Sequence, residues 1–190
     1  MMNHLRDFLA RFDSDLVLNR EFIVRKENRY YLLNRQLRKL VSPGFFYAGT
    51  YLGKVRKGAF FPSLLLLRMM AKGNSNRTTV DAKAEWLYIC GRDIFRSGII
   101  EVKGSQRRGA HTLVLNQKQE CLGFGRILKG SEEEHDGNQP TIKNVLDIGD
   151  LLRRERRNAR ARPAEVTNGM HAESSHKSGQ PRRRARKHYK

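Results

Sequence analysis

Residues 81–130 read DAKAEWLYICGRDIFRSGIIEVKGSQRRGAHTLVLNQKQECLGFGRILKG, and their pattern decides the fold. Ala82 to Cys90 suits a helix with Trp86 and Leu87 or Ile89 buried, and Gly91 is a natural C-terminal cap. Ile94–Phe95, Ile99–Val102, Leu113–Leu115 and Leu122–Leu128 are short β-rich runs separated by glycine or polar turns. Thr79 to Asp81 adds a strand in front, and VLDIGDLLRRE, Val145 to Glu155, supplies a closing strand and a final apolar turn. Many short strands with one early helix predict a small, strongly bent barrel or sandwich. The intervening SEEEHDGN, residues 131–138, reads as an acidic loop.

Upstream lies a separate α/β unit. Leu5, Phe8, Leu9 and Phe12 recur at helical spacing and form one apolar stripe. Phe22–Arg25 and Arg29–Leu33 predict a hairpin. Asn34 caps a short helix to about Val41 with Leu37 and Leu40 inward. FFYAGTYLGKVRKGAFF predicts paired strands turning near Arg56 to Gly58. Pro62 then stands at the first position of a helix running through Ala71, with leucines on all sides. KGNSNRT, residues 72–78, is polar and carries no apolar residue, as a domain linker would. The expected class is α+β: an N-terminal antiparallel sheet with helices over 1–74, a small β-barrel domain over 78–155, and a disordered basic tail over 156–190.

The 190 residues carry 38 Lys and Arg against 19 Asp and Glu, a formal charge of +19. Such a charge favours a polyanionic partner. Residues 153–190 hold thirteen Lys or Arg against three Glu, with too few apolar residues to offset chain entropy. The remainder keeps +9, so the bias is not a tail effect alone. The most apolar run, Ala59 to Ala71, contains Pro62 and Arg68 and is too short for a membrane span. With acids in the first turns and no signal-peptide core, the chain is expected to be cytosolic, with no membrane partner.

Cys90 and Cys121 are each isolated in apolar settings and predict reduced core thiols. The six histidines are scattered, so neither metal nor cofactor is expected. Enzymatic signatures are lacking. Gly53-Lys54 has no glycine and Ser or Thr partners for a phosphate loop, and Gly123-Phe124-Gly125 lacks a third glycine. No Ser, His and carboxylate constellation is apparent, and no catalytic residue is assigned.

Cations at glycine-bearing turns stand out instead. GRDIFRSGII places Arg92 and Arg96 about a turn ending in Ser97-Gly98, where a bare backbone lets a nucleic acid come close. KGSQRRG adds Lys103, Arg107 and Arg108, and GFGRILKG adds Arg126 and Lys129. Guanidinium forks suit phosphate oxygens. These nine residues form the candidate nucleic-acid-binding set.

The order helix, GRDIFRSGI, EVKGSQRRGAHTLVLN and CLGFGRILKGS resembles a PUA domain, the RNA-binding module of pseudouridine synthases and archaeosine transglycosylases. With FYAGTYLGKV ahead and SGIIEV, LGFG and LDIGDLLRRE behind, residues 22–155 resemble the archaeal branch of the Nip-seven family of large-subunit ribosome-biogenesis factors. The resemblance implies a five-stranded antiparallel sheet with helices before a C-terminal PUA domain. It also implies RNA binding through Arg92 to Gly98 and through Arg126 and Lys129. The Gly-Asp pairs that flank one turn in many PUA domains are replaced here by KGSQRRGAH, and the basic tail exceeds the family pattern. Together these features predict a monomeric, non-catalytic factor for rRNA or a pre-ribosomal particle, with the N-terminal domain docking a protein or rRNA. The alternatives are an RNA-modification enzyme or its RNA-targeting subunit, and a protein-interaction adaptor whose basic face meets an acidic partner.

Overall fold

A computed structural model describes residues 3–42, 44–45, 47–130, 139–150 and 153. The expected acidic loop, residues 131–138, and basic tail, residues 156–190, lie outside the described residues.

Helix α1 (Asn3–Ala10) buries Leu5 and Phe8 on one face, and Phe12 follows in the next turn with no exposed surface. The hairpin β1 (Ile23–Lys26) and β2 (Arg29–Leu32) turns through Glu27, whose φ is 53°. Helix α2 (Arg35–Leu40) starts where Asn34 Oδ1 accepts the Leu37 N–H at 2.8 Å. Leu40 does not point inward as expected: it is 79% exposed, because a six-residue helix turns its last leucine away from the sheet. Strands β3 (Thr50–Arg56) and β4 (Ala59–Pro62) complete an antiparallel sheet in the order β1-β2-β3-β4. Among the described residues it has four strands, one fewer than the Nip-seven resemblance implies. Pro62 ends β4 rather than opening a helix. The cap of α3 (Leu64–Lys72) is Ser63, whose Oγ accepts the Leu66 N–H at 3.1 Å. A serine oxygen satisfies a helix-end donor, which proline cannot do.

Among the described residues the second half is a curled six-stranded sheet. Its strands are β5 (Arg77–Val80), β6 (Ile94–Phe95), β7 (Ile99–Lys103), β8 (His111–Leu115), β9 (Cys121–Ile127) and β10 (Pro140–Asp147), ordered β6-β10-β9-β8-β5-β7. Only β5 and β8 run parallel. Register shifts between β9 and β10, and between β8 and β9, bend the sheet. At the first bend Gly123 has a φ of 153°, and a Cβ there would collide with the Leu146 carbonyl. This is what the LGFG motif serves: two strands approach too closely for a side chain.

Strands β8 and β9 are buried on both faces, so alternate residues join different cores. Val114, Leu122 and Ile127 pack with Val80, Ile94 and Ile142 inside the curl, beneath Ala84 and Tyr88 of α4 (Ala82–Ile89). Leu113, Leu115, Cys121 and Phe124 face the other way and share one core with Phe8, Phe12, Leu52, Leu66, Leu67 and Met70. The two halves therefore share an apolar interior. Helix α3 lies between β3 and β9, accounting for its leucine-rich sequence, although Leu65 stays 50% exposed.

The segment expected to be a free linker is part of this junction. Ser75 and Asn76 are 8% and 3% exposed. Asn76 donates its N–H to the Phe12 carbonyl at 2.7 Å and its Nδ2 to Asp13 at 2.9 Å, and it accepts from Leu113 N–H at 2.8 Å and Ser105 N–H at 2.9 Å. A polar sequence marked hydrogen-bonding capacity here, and the buried backbone around it uses that capacity.

Trp86 is likewise the reverse of the expectation. Ala84 and Tyr88, one helical turn apart, form the buried face of α4, whereas Trp86 sits about 200° around the helix from Ala84 and is 67% exposed. Leu87 is 39% exposed. As Trp86 is the only tryptophan, the emission of the free protein should be quenched by iodide nearly as well as free indole. Strong protection would show that this face is covered in solution.

Cys90 is exposed at the end of α4 and so is no core residue, while Cys121 is buried. Burial pushes the Cys121 thiol up to about 11. Only the thiolate attacks alkylating reagents. One thiol, Cys90, is therefore expected to label within minutes near pH 8 in the native protein, and the second only on unfolding; two fast thiols by mass spectrometry would contradict the packing of β9.

Candidate nucleic-acid interface

The corner from α4 into β6 holds Arg92 in the open. Gly91 adopts a φ of 90°, its N–H donates to the Tyr88 carbonyl at 2.9 Å, and the Arg92 N–H returns to Leu87 at 3.0 Å. A left-handed helix end of this kind favours glycine. Arg96, Ser97 and Gly98 form a single 3-10 turn. The bareness of Gly98 faces inward: its carbonyl accepts the Asp81 N–H at 3.0 Å, and a Cβ there would stand 2.5 Å from that of Ala84. It lets the turn pack on α4. Leu87 and Phe95, 39% and 40% exposed, separate two hollows of about 460 and 380 Å³. Arg92 lines the first, and Ser97, Gly98 and Lys83 line the second.

Arg96 and Lys129 meet elsewhere, with Gln106, around a cavity of about 30 Å³ over Thr78, Thr141 and Ile142. Thr78 Oγ1 is paired with Thr112 Oγ1 at 2.9 Å. The buried Thr141 hydroxyl has no hydrogen-bond partner among the described residues. The cavity has room for a water or a single ligand oxygen, not for a base.

Lys103 pairs with Glu101 at 3.2 Å, both half-exposed, so its charge is partly answered. Arg107 and Arg108 are exposed on the turn between β7 and β8, which is tied to β9 by Gly109 N–H to Ile127 at 2.8 Å and Ile127 N–H to Ala110 at 2.9 Å. Beside it Arg126 projects from β9, directly opposite His111 on β8 and Lys143 on β10. His111 is half-buried, its ring 5.6 Å from that of Phe12 and 6.1 Å from that of Phe124. Burial, then Arg11 and Arg126, hold its pKa below the ordinary histidine value.

The candidate set is thus spread over separate places. Arg92 shares the Leu87–Phe95 surface with Ser97 and Gly98, Arg96 and Lys129 share the small cavity, and Arg126 stands with the Arg107–Arg108 turn. Lys83, Gln106, Thr141, His111, Lys143 and Arg11 were missed by sequence reasoning. The sequence held a basic residue in each of β8, β9 and β10, but not the register that aligns them.

A curled mixed sheet with α4 packed against it, preceded by a small α/β unit, has the architecture of a PUA domain joined to a smaller N-terminal part. More narrowly, residues 76–156 match the family model described as the UPF0113 PUA domain. A UPF0113 protein of Archaeoglobus fulgidus is 30% identical over 112 residues, a match spanning 58% of this chain and 63% of that protein. In fold, the chain is similar to a conserved PUA domain protein from Thermoplasma acidophilum, at 20% identity and a TM-score of 0.52, over 80% of this chain and 91% of the other. A PUA domain from Aeropyrum pernix K1, solved as a tartrate complex, aligns over 50% of this chain and 55% of its own at 22% identity and a TM-score of 0.43.

Proposed function

We propose that this protein is a non-catalytic, cytosolic RNA-binding factor that engages rRNA of a large-subunit precursor through its PUA half, in the manner of the Nip-seven family. The observation that carries this reading is the PUA domain itself, with exposed cations set on turns that backbone hydrogen bonds hold fixed, such as the Gly91–Arg92 corner and the turn bearing Arg107 and Arg108. Cations in fixed positions select among RNA shapes, whereas the basic C-terminal sequence adds affinity to any RNA. The N-terminal half serves a protein partner. Its groove of about 450 Å³, lined by Leu9, Leu16, Val17 and Ile23 together with Arg6 and Arg20, suits an apolar segment that carries acids.

Crosslinking in cells followed by sequencing of the bound RNA tests the reading. Enrichment of large-subunit rRNA, with RNase-sensitive co-purification of precursor particles, is expected. Crosslinks confined to guide RNAs or tRNA would overturn it in favour of a targeting subunit for RNA modification, and an absence of crosslinks would overturn RNA binding altogether.

A further inference from the structure

Residues directly opposite in antiparallel strands project from the same face of the sheet. The pairings His111 with Arg126 and Arg126 with Lys143 therefore line up three basic side chains across β8, β9 and β10. One step along the same face, Leu113 is paired with Phe124, and both are buried under Phe8 and Phe12. The row thus begins where the N-terminal half stops covering the sheet, and Arg11, exposed in the turn after α1, stands beside it.

Like charges directly opposite in a sheet destabilise it. Arg126 and Lys143 are both exposed, and among the described residues neither forms an ion pair with a carboxylate. The fold retains a repulsive arrangement that an external anion would relieve. We propose that the row His111, Arg126 and Lys143, completed by Arg11 and continued by Arg107 and Arg108, is a track for the phosphates of an RNA strand at the junction of the two halves, distinct from the Arg92–Gly98 surface. This rests on the RNA-binding reading above and deepens it.

The row presents a basic group roughly every 4.8 Å, the spacing of neighbouring strands. A series of charges at regular steps suits a phosphate backbone, whereas protein interfaces exclude charge from their centres. His111 adds a second property. Arg11 after α1 and Arg126 on β9 face its ring; Arg77 on β5 is directed instead to the Ala71 carbonyl, at 3.3 Å. In the free protein burial and the two guanidinium groups favour the neutral ring. A phosphate on the row supplies the opposite charge, raises the imidazole pKa, and makes binding take up a proton.

The test is salt-titrated fluorescence anisotropy of the full chain with a labelled single-stranded RNA. Lys143→Gln is compared with Lys57→Gln, an equal loss of charge on the β3–β4 turn, and thermal melts check folding. Lys143→Gln is expected to reduce the slope of log affinity against log salt by about 0.7, which is about fivefold weaker binding at 0.1 M salt relative to 1 M. Its melting temperature should be unchanged or higher, since a repulsion is removed. Wild-type affinity should rise from about pH 8 to about pH 6, and His111→Gln should make that rise shallower, the histidines of the basic C-terminal sequence supplying the remainder. Equal losses for Lys143→Gln and Lys57→Gln, or wild-type binding that Lys143→Gln leaves untouched, would overturn the track while sparing RNA binding. Failure of the wild type to bind any RNA at low salt would overturn both.

Discussion

Replacing Phe124 by Ala is expected to cost about 3–5 kcal/mol, the usual range for an aromatic removed from a packed core, and to unfold both halves in one transition. Phe124 is 6% exposed, and its ring lies 5.7 Å from that of Phe8 and 5.5 Å from that of Phe12, edge to face in both pairs. It belongs to β9, whereas its partners lie on and just after α1, so the lost contacts are those joining the halves. Calorimetry of the variant should show a single transition at a lower temperature. Two separate transitions, with the N-terminal half melting where it does in the parent, would show that the shared core does not couple them. For the same reason residues 76–156 made alone would expose Leu113, Leu115, Cys121 and Phe124, and aggregation is expected.

The second large effect lies at the other end of the curl. Asp147, 3% exposed, accepts Arg153 at 2.9 Å, the Asp150 N–H at 2.7 Å and Asn144 Nδ2 at 3.1 Å. Arg153 also donates to the Ile89 carbonyl at 2.7 Å, and Asn144 Nδ2 to Tyr88 at 2.9 Å. One carboxylate thereby ties the end of α4 to the end of β10. Asp147→Ala strands those donors and is expected to cost about 2–4 kcal/mol, less than a fully buried pair because Arg153 is partly in water. Urea unfolding measures it. A loss below about 1 kcal/mol would mean that water replaces the carboxylate without strain. A further Arg153→Ala change in the variant should add little, since the two residues act through one interaction.

Much of the local structure was legible in the sequence because it follows from local chemistry. Asn34 capped its helix, Gly91 ended α4, Lys57-Gly58 turned β3 into β4, and the short apolar runs of 94–128 became strands in a curled sheet. These outcomes depend on capping oxygens, on positive φ, and on side chains that alternate every second residue. The candidate cations were legible as residues on turns, but not as groups.

What the sequence could not specify is which surfaces meet. Periodicity shows that one side of a helix differs from the other, but α4 is apolar nearly all round, so the sheet it rests on chose Ala84 and Tyr88 and left Trp86 outside. Composition marked 72–78 as polar and could not show that Asn76 would spend its donors and acceptors on Phe12, Asp13, Leu113 and Ser105. The alignment of His111, Arg126 and Lys143 depends on the register of three strands, set by bulges and by the packing of distant residues. Local chemistry determined the elements; the tertiary contacts between residues far apart in the chain decided their faces, their register and the joining of the two halves into one core.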